Sequence, residues 1–251
     1  MRPTPSLARR LLLSLAASAL AALAGCAQSY IVPGAKADLQ AFAPPSIREG
    51  FAAQPTAPFP AALALVRVQG PSYTNWHLGP QGAPAGGRYS VVTTREVEDE
   101  AQFDRLGRLP QVQGVTTLNR MLLPAHPDSE KDLREAAARL HADLVLVYTF
   151  DTAFFDRNES RPLSMISLGF LPTRRIAVTT TASALLVDTR TGYVYSTYET
   201  TKRSDTQASV WGSQDAADAA RRENEHAAFG ELVDAVAGSW PRLLDRYARK
   251  A

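Results

Sequence analysis

The chain of 251 residues contains one cysteine, Cys26, preceded by Leu23, Ala24 and Gly25. A thiol forms thioethers and disulfides, and with no second thiol an intrachain disulfide, a paired-cysteine redox centre and a multi-cysteine metal site are all ruled out. Small Ala24 and Gly25 leave the backbone before Cys26 open to close approach by a peptidase. The other reactive side chains are scattered. His77, His126, His141 and His226 stand far apart, with no His-Glu-x-x-His pair and no Gly-Lys-Ser/Thr phosphate loop. A Gly-x-Ser-x-Gly elbow and a Ser-x-x-Lys pair are absent too, so a Ser-His-Asp triad would have to be assembled by folding alone. Gly79, Gly82, Gly86 and Gly87 lie among prolines and lack dinucleotide-fingerprint spacing. Asp151 and Asp156 could pair as carboxylates near strand ends, but a solvated loop is the simpler expectation. These residues predict no catalytic group, no metal ligand and no cofactor: a binding protein, not an enzyme.

The positions around Cys26 are more informative. Met1 to Arg10 carries Arg2, Arg9 and Arg10 and no acid, and Leu11 to Leu23 is an apolar run of Leu, Ala and two Ser. A basic segment, a short apolar run and small residues before a cut describe a secretory signal peptide. The run is too short for a spanning helix, which needs about 20 residues. Leu23-Ala24-Gly25-Cys26 resembles the lipobox of bacterial lipoproteins at all four positions. The resemblance implies cleavage between Gly25 and Cys26, a diacylglyceryl group on the Cys26 thiol and often an acyl chain, such as palmitate, on the new amino group. Ala27, where many inner-membrane lipoproteins carry Asp, favours the outer membrane with the protein facing the periplasm. Two acyl chains give stable membrane attachment where one is marginal. Membrane lipid, through Cys26, is thus the first expected partner.

Cleavage also changes the charge. Residues 1–25 hold three Arg and no acid, so 24 of the 27 basic residues remain against 25 acidic ones. A nearly neutral domain offers no footprint for nucleic acid. The expected organisation is a signal peptide over 1–25, a lipidated amino terminus and Pro-rich tether over 26–60, and one periplasmic domain over 61–248. Pro33, Pro44, Pro45, Pro55, Pro58 and Pro60 favour extended chain in the tether, where Ile47 and Phe51 are candidates to dock on the domain.

Within the domain, Leu63–Val68 and Tyr89–Thr94 read as strands, Pro71–Arg88 as a loop with Tyr73, Trp76 and His77, and Glu96–Leu106 as a helix stopped at Gly107. Val112–Leu122 reads as a short strand or turn. Ser129 and Asp132 form a capping box for a helix with Leu133, Ala136, Ala137 and Leu140 on one face. Leu144–Phe150 is a continuous apolar run, as in a strand covered on both sides. Asp151–Arg175 reads as an interruption with a polar tip, Asp156 to Glu159, and an apolar segment. In that segment Leu163, Met165, Ile166, Leu168 and Phe170 are a candidate partner surface. Ile176–Val187, the turn Asp188–Gly192 and Tyr193–Thr200 form a β-hairpin. The end is helical, with a charged Ala-rich stretch to His226 and an apolar stripe through Trp240, where Gly238, Ser239 and Pro241 predict a stop or kink.

His141-Ala142-Asp143-Leu144-Val145-Leu146-Val147 and Leu186-Val187-Asp188-Thr189-Arg190-Thr191-Gly192-Tyr193-Val194-Tyr195 resemble elements of a group of envelope proteins. That group includes the curli-secretion lipoprotein, penicillin-binding-protein activator lipoproteins and the amino-terminal domain of TolB. The resemblance covers about Ser129 to Glu199 and implies an α/β (α+β) fold, a mixed β-sheet with flanking helices. The layout is also similar to the rhombotarget lipoproteins, from which the chain departs after Tyr247, where it has no glycine-rich motif or apolar tail. As turn residues, Asp188 and Gly192 need no activity to account for them. The expected function is an envelope adaptor, activator or assembly factor, binding another protein or a second copy. A secretion-channel component is the alternative and a periplasmic hydrolase the third.

Overall fold

A computed structural model of the protein describes residues 36–37, 47–71, 73, 87–158, 172–209 and 213–248. Gly25, Cys26 and the apolar segment holding Leu163, Met165, Ile166, Leu168 and Phe170 lie outside the described residues, as do Trp76 and His77. The element order is α1 (Ile47–Ala52), β1 (Ala61–Gln69), β2 (Ser90–Val92), α2 (Glu100–Gly107), β3 (Val112–Thr117), α3 (Glu130–Arg139), β4 (Leu144–Asn158), β5 (Pro172–Asp188), β6 (Val194–Ser209) and α4 (Ser213–Tyr247), with a 3₁₀ turn at Arg120–Leu122.

The six strands form one mixed sheet, in an α+β fold. Its main path runs β2-β1-β4-β5-β6. On one edge of β1, β4 runs parallel, with Leu63 opposite Leu144 and Arg67 opposite Tyr148. The other edge of β1 is shared: its first half pairs parallel with β3 and its last residues antiparallel with β2. β4, β5 and β6 are antiparallel and long, so they extend past the remaining strands as a three-stranded ribbon.

Alternation along β1 and β4 builds a core on each side. Leu63, Leu65, Leu144, Leu146, Tyr148 and Phe150 face α2 and α4, whose Phe103, Phe229, Val236 and Trp240 complete the larger core. Ala64, Val66, Val68, Val145 and Val147 face α3, with its Leu133, Ala136 and Ala137. Leu144 to Phe150 is buried throughout, as its unbroken apolar run requires.

Local signals place the helices. The Asp132 carboxylate accepts from the Ser129 N–H at 3.0 Å at the start of α3. Its end is closed by Ala142 N–H to Ala137 O and His141 N–H to Ala138 O, both 3.0 Å, with His141 in the left-handed region at φ 56°. That pattern is a Schellman closure, with histidine where glycine is commonest. α2 begins at Glu100, four residues after the expected start, because Asp99 caps it through the Gln102 N–H.

Several expectations are corrected. Asp151–Arg175 is not wholly an interruption. Asp156, Arg157 and Asn158 belong to β4, opposite Ile176, Arg175 and Arg174, so the polar residues taken for a loop tip continue the ribbon. β6 runs nine residues past Thr200, because its polar stretch is rich in Thr and Ser and pairs fully with β5. Gly238, Ser239 and Pro241 do not end the last helix; α4 is continuous to Tyr247, and the Ser239 hydroxyl donates to Val236 O at 3.0 Å within it. A register shift at Leu186/Val187 puts Tyr195 on the α4 side near Tyr247, away from the exposed Thr197 with which strict alternation groups it. Phe51 does not dock and is 85% exposed. Tyr73, by contrast, is buried.

Candidate functional site

The part of α4 that looks most solvent-facing in sequence holds, among the described residues, a dense cluster of buried charge. Asp218, Arg221 and Glu225 are spaced by three and four residues, hence on one helix face, and that face lies against the sheet. Arg221 has no exposed side-chain surface. Its guanidinium reaches Asp218 at 3.1 Å, Glu225 at 2.8 Å and Glu96 at 2.8 Å. From β1, Arg67 meets the same Glu225 at 3.2 Å and Tyr73 Oη at 3.1 Å, and pairs with Glu98 at 3.6 Å. The Tyr148 hydroxyl donates to Glu98 at 3.0 Å, and the Arg67 guanidinium lies 4.6 Å from the Phe150 ring centre.

The electrostatics follow from this geometry. Burial disfavours the charge of both arginines, but the carboxylates around them outweigh it and hold both pKa values above the ordinary arginine range. Burial, reinforced by Glu98, pushes the Tyr148 hydroxyl well above its usual value. The carboxylates face fixed cations, and the hydroxyl keeps its proton. The cluster joins β1 and α4 through a continuous run of buried ion pairs. Its effect is mechanical. The Thr152 hydroxyl donates to Glu225 at 3.1 Å and bonds the Thr180 hydroxyl at 3.0 Å, while the Asn224 amide donates to Val178 O at 3.0 Å. The cluster and its neighbours therefore fasten the far half of β4 and β5 to α4.

The opposite face of the ribbon is open among the described residues. Asp151, Ala153 and Phe155 of β4 point outward beside Thr181, Thr179 and Ala177 of β5. Phe155 is 59% exposed. Asp151 pairs with Lys36 at 3.6 Å; the side chain of Asp156, the other candidate carboxylate, lies outside the described residues.

A second polar centre lies at the other end of the sheet. The Asp188 carboxylate accepts from the N–H groups of Thr56 at 2.6 Å and Ala57 at 2.8 Å, from Arg190 at 2.9 Å and Thr191 at 3.1 Å within its turn, and from the Tyr195 hydroxyl at 3.0 Å. Burial raises its pKa, but these donors prevail and hold it below the ordinary carboxylate value. Asp143, in the bend just before β4, accepts from Ala62 N–H at 3.0 Å and from Arg190 at 2.8 Å. Both aspartates act as structural turn residues. Asp188 also does what its turn position does not foretell: it holds residues 56–57, just before β1.

Of the four histidines, His226 has its Nδ1 2.8 Å from Val97 O and His141 is the α3 closure residue. Among the described residues no group of three or more His, Cys, Asp or Glu is placed to hold a metal ion, and no helix is long and apolar enough to cross a membrane. A cavity of about 340 Å³ between α2 and β3 is lined by Arg95, Arg108, Glu100, Asp104, Phe103 and Thr117, among others. Arg95 is paired there with Glu100 at 2.7 Å and Arg108 with Asp104 at 3.6 Å.

No protein-family model matches the chain, and no curated protein matches it in sequence. Among solved structures, it is similar to a DUF330-family protein of Xanthomonas campestris, with 15% identity and a TM-score of 0.37 over 85% of this chain and 95% of that one. A Caulobacter crescentus protein provisionally assigned as a lipoprotein matches with 14% identity and a TM-score of 0.27, over 42% of this chain and 69% of that one. The PelC dodecamer of Paraburkholderia phytofirmans matches with 11% identity and a TM-score of 0.28, over 79% and 94%. Likenesses at this level do not show a shared family or activity.

Proposed function

We propose that the chain is a lipid-anchored cell-envelope protein, held in the outer membrane through Cys26 and facing the periplasm, that acts by binding another protein. The anchor rests on the sequence Leu23-Ala24-Gly25-Cys26 behind its basic and apolar segments. The observation that carries the binding role is the open ribbon face, with Ala153 and Phe155 exposed on it. A buried ion cluster fixes that ribbon from behind, so a partner meets a surface already in place and binding avoids much of the ordering cost.

Two measurements test the two halves of this reading. Mass spectrometry of the mature amino terminus is expected to find Cys26 as the first residue, carrying diacylglycerol, and a Cys26→Ser chain is expected to leave the membrane fraction or keep its signal. An unmodified Cys26 in the envelope would remove the anchor. A photo-crosslinking residue at Phe155 is expected to capture one recurrent envelope protein, and the same probe at Asp245 on α4 is not. Equal capture from both positions, or none from either, would remove the binding face.

A further inference from the structure

The strand β6 ends the sheet, and among the described residues the outer edge of its sixteen residues has no strand beside it. A sheet edge with no neighbouring strand, where alternate residues turn N–H and C=O outward, is a template for another strand. What can pair there is decided by the outward side chains. Thr197, Glu199, Thr201, Arg203 and Asp205 are exposed on the face away from α4. The alternate residues turn towards α4, where the Thr200 hydroxyl donates to Ala228 O at 3.0 Å and Lys202 is ion-paired with Glu231.

We infer that this edge pairs with β6 of a second copy, antiparallel, about a two-fold axis through Thr201. An antiparallel pair related by a two-fold must have its axis perpendicular to the sheet and centred on one residue, so a residue k positions before the centre meets the residue k positions after it. Centred on Thr201, Glu199 of each copy lies opposite Arg203 of the other, twice over, and Thr200 lies opposite Lys202. The overlap then runs from Val194 to Ala208, nearly all of β6. Opposite charges directly across an antiparallel pair stabilise it and like charges oppose it. Centres at Glu199, Lys202 or Arg203 set identical charges against each other, and a centre at Thr200 makes no ion pair. A centre at Ser204 would match Arg203 with Asp205, but it leaves the first five residues of β6 unpaired. The charge pattern therefore selects one partner, the same strand of another copy, and one register. Being isologous, the contact closes at two copies and leaves no further β6 edge. It does not depend on the anchor at Cys26.

Charge exchange in the full-length chain, purified in mild detergent, tests the register. The wild-type chain is expected to sediment as a dimer at tens of micromolar. Glu199→Arg gives two basic residues at 199 and 203, and Arg203→Glu gives two acidic ones. Each single variant is expected to weaken dimerisation by about tenfold or more, since two symmetry-related pairs turn from attractive to repulsive. Mixed in equal amounts, the two single variants are expected to form a heterodimer, and the double exchange to dimerise like wild type. Circular dichroism checks that each variant is folded. A wild-type monomer at these concentrations, or single variants that dimerise unchanged, would overturn the proposal. Failure of the mixture to recover would overturn it as well; the Ser204-centred register predicts instead that Glu199→Arg dimerises unchanged and that the mixture regains only one of its two ion pairs.

Discussion

Arg221 is the residue on which most of the interior electrostatics converge. It is fully buried and touches three carboxylates, those of Glu96, Asp218 and Glu225. Removing one member of a buried ionic group leaves the others charged and unpaired, which costs about 3–5 kcal/mol. Arg221→Leu is therefore expected to lower the unfolding free energy by about that amount in urea denaturation. Arg221→Lys should recover only part of it, because one ammonium cannot face three carboxylates in the directions a guanidinium does. A loss below about 1 kcal/mol for the leucine variant would mean that water or the carboxylates' own rearrangement screens the site. None of this was legible beforehand. Asp218, Arg221 and Glu225 repeat at helical spacing among alanines, which reads equally as a solvated face. Only the partners brought from β1 and from Glu96 and Glu98, more than a hundred residues away in sequence, show that the face is buried. The apolar stripe from Phe229 to Trp240 carries no such ambiguity, and Phe229, Leu232, Val233, Val236 and Trp240 are all buried in the larger core.

Elements show the same division between strong and weak signals. The β5–β6 turn was readable because Asp188 and Gly192 have turn chemistry of their own, and Gly192 adopts φ 74°, a region that penalises any side chain. The far half of the ribbon was not, because Asp156-Arg157-Asn158 and the Thr/Ser-rich end of β6 carry no apolar alternation; pairing with β5 sets their conformation. The prolines before β1 predict loose chain, yet residues 56–57 are bound to Asp188. That attachment has a definite pH dependence. The folded Asp188 has a pKa below the ordinary carboxylate value of about 3.9, so its contribution is complete above that value and is lost as pH falls through the lower, folded one. Hydrogen exchange, corrected for intrinsic rates, should show the Thr56 and Ala57 amides protected at neutral pH and opening below about pH 4. Asp188→Asn should weaken that protection at neutral pH and flatten its acid dependence, since an amide accepts through one neutral oxygen where the carboxylate offers two charged ones. Protection unchanged in the asparagine variant would show that the segment is held by packing, through Phe59 against Trp240, and not by the carboxylate.

At the scale of the whole molecule, the sheet separates two cores that share its strands residue by residue. Leu144, Leu146 and Tyr148 serve the α4 side, and Val145 and Val147 serve the α3 side. No plane through the sheet divides one core from the other without breaking β1 and β4, so neither core can be lost while the other keeps its strands. The described domain should unfold in a single transition, although its helices lie on opposite faces. Phe229→Ala is expected to cost about 3–5 kcal/mol and Leu133→Ala about 2–5 kcal/mol, each lowering the midpoint of that same transition. Because the two side chains belong to different cores, their costs should add to within about 0.5 kcal/mol. Calorimetry on the two single variants and the double variant checks this. Two separable transitions, each moved by only one of the substitutions, would show that α3 and its aliphatic layer form a unit of their own. The shared strands would then be an incomplete account of what makes this fold cooperative.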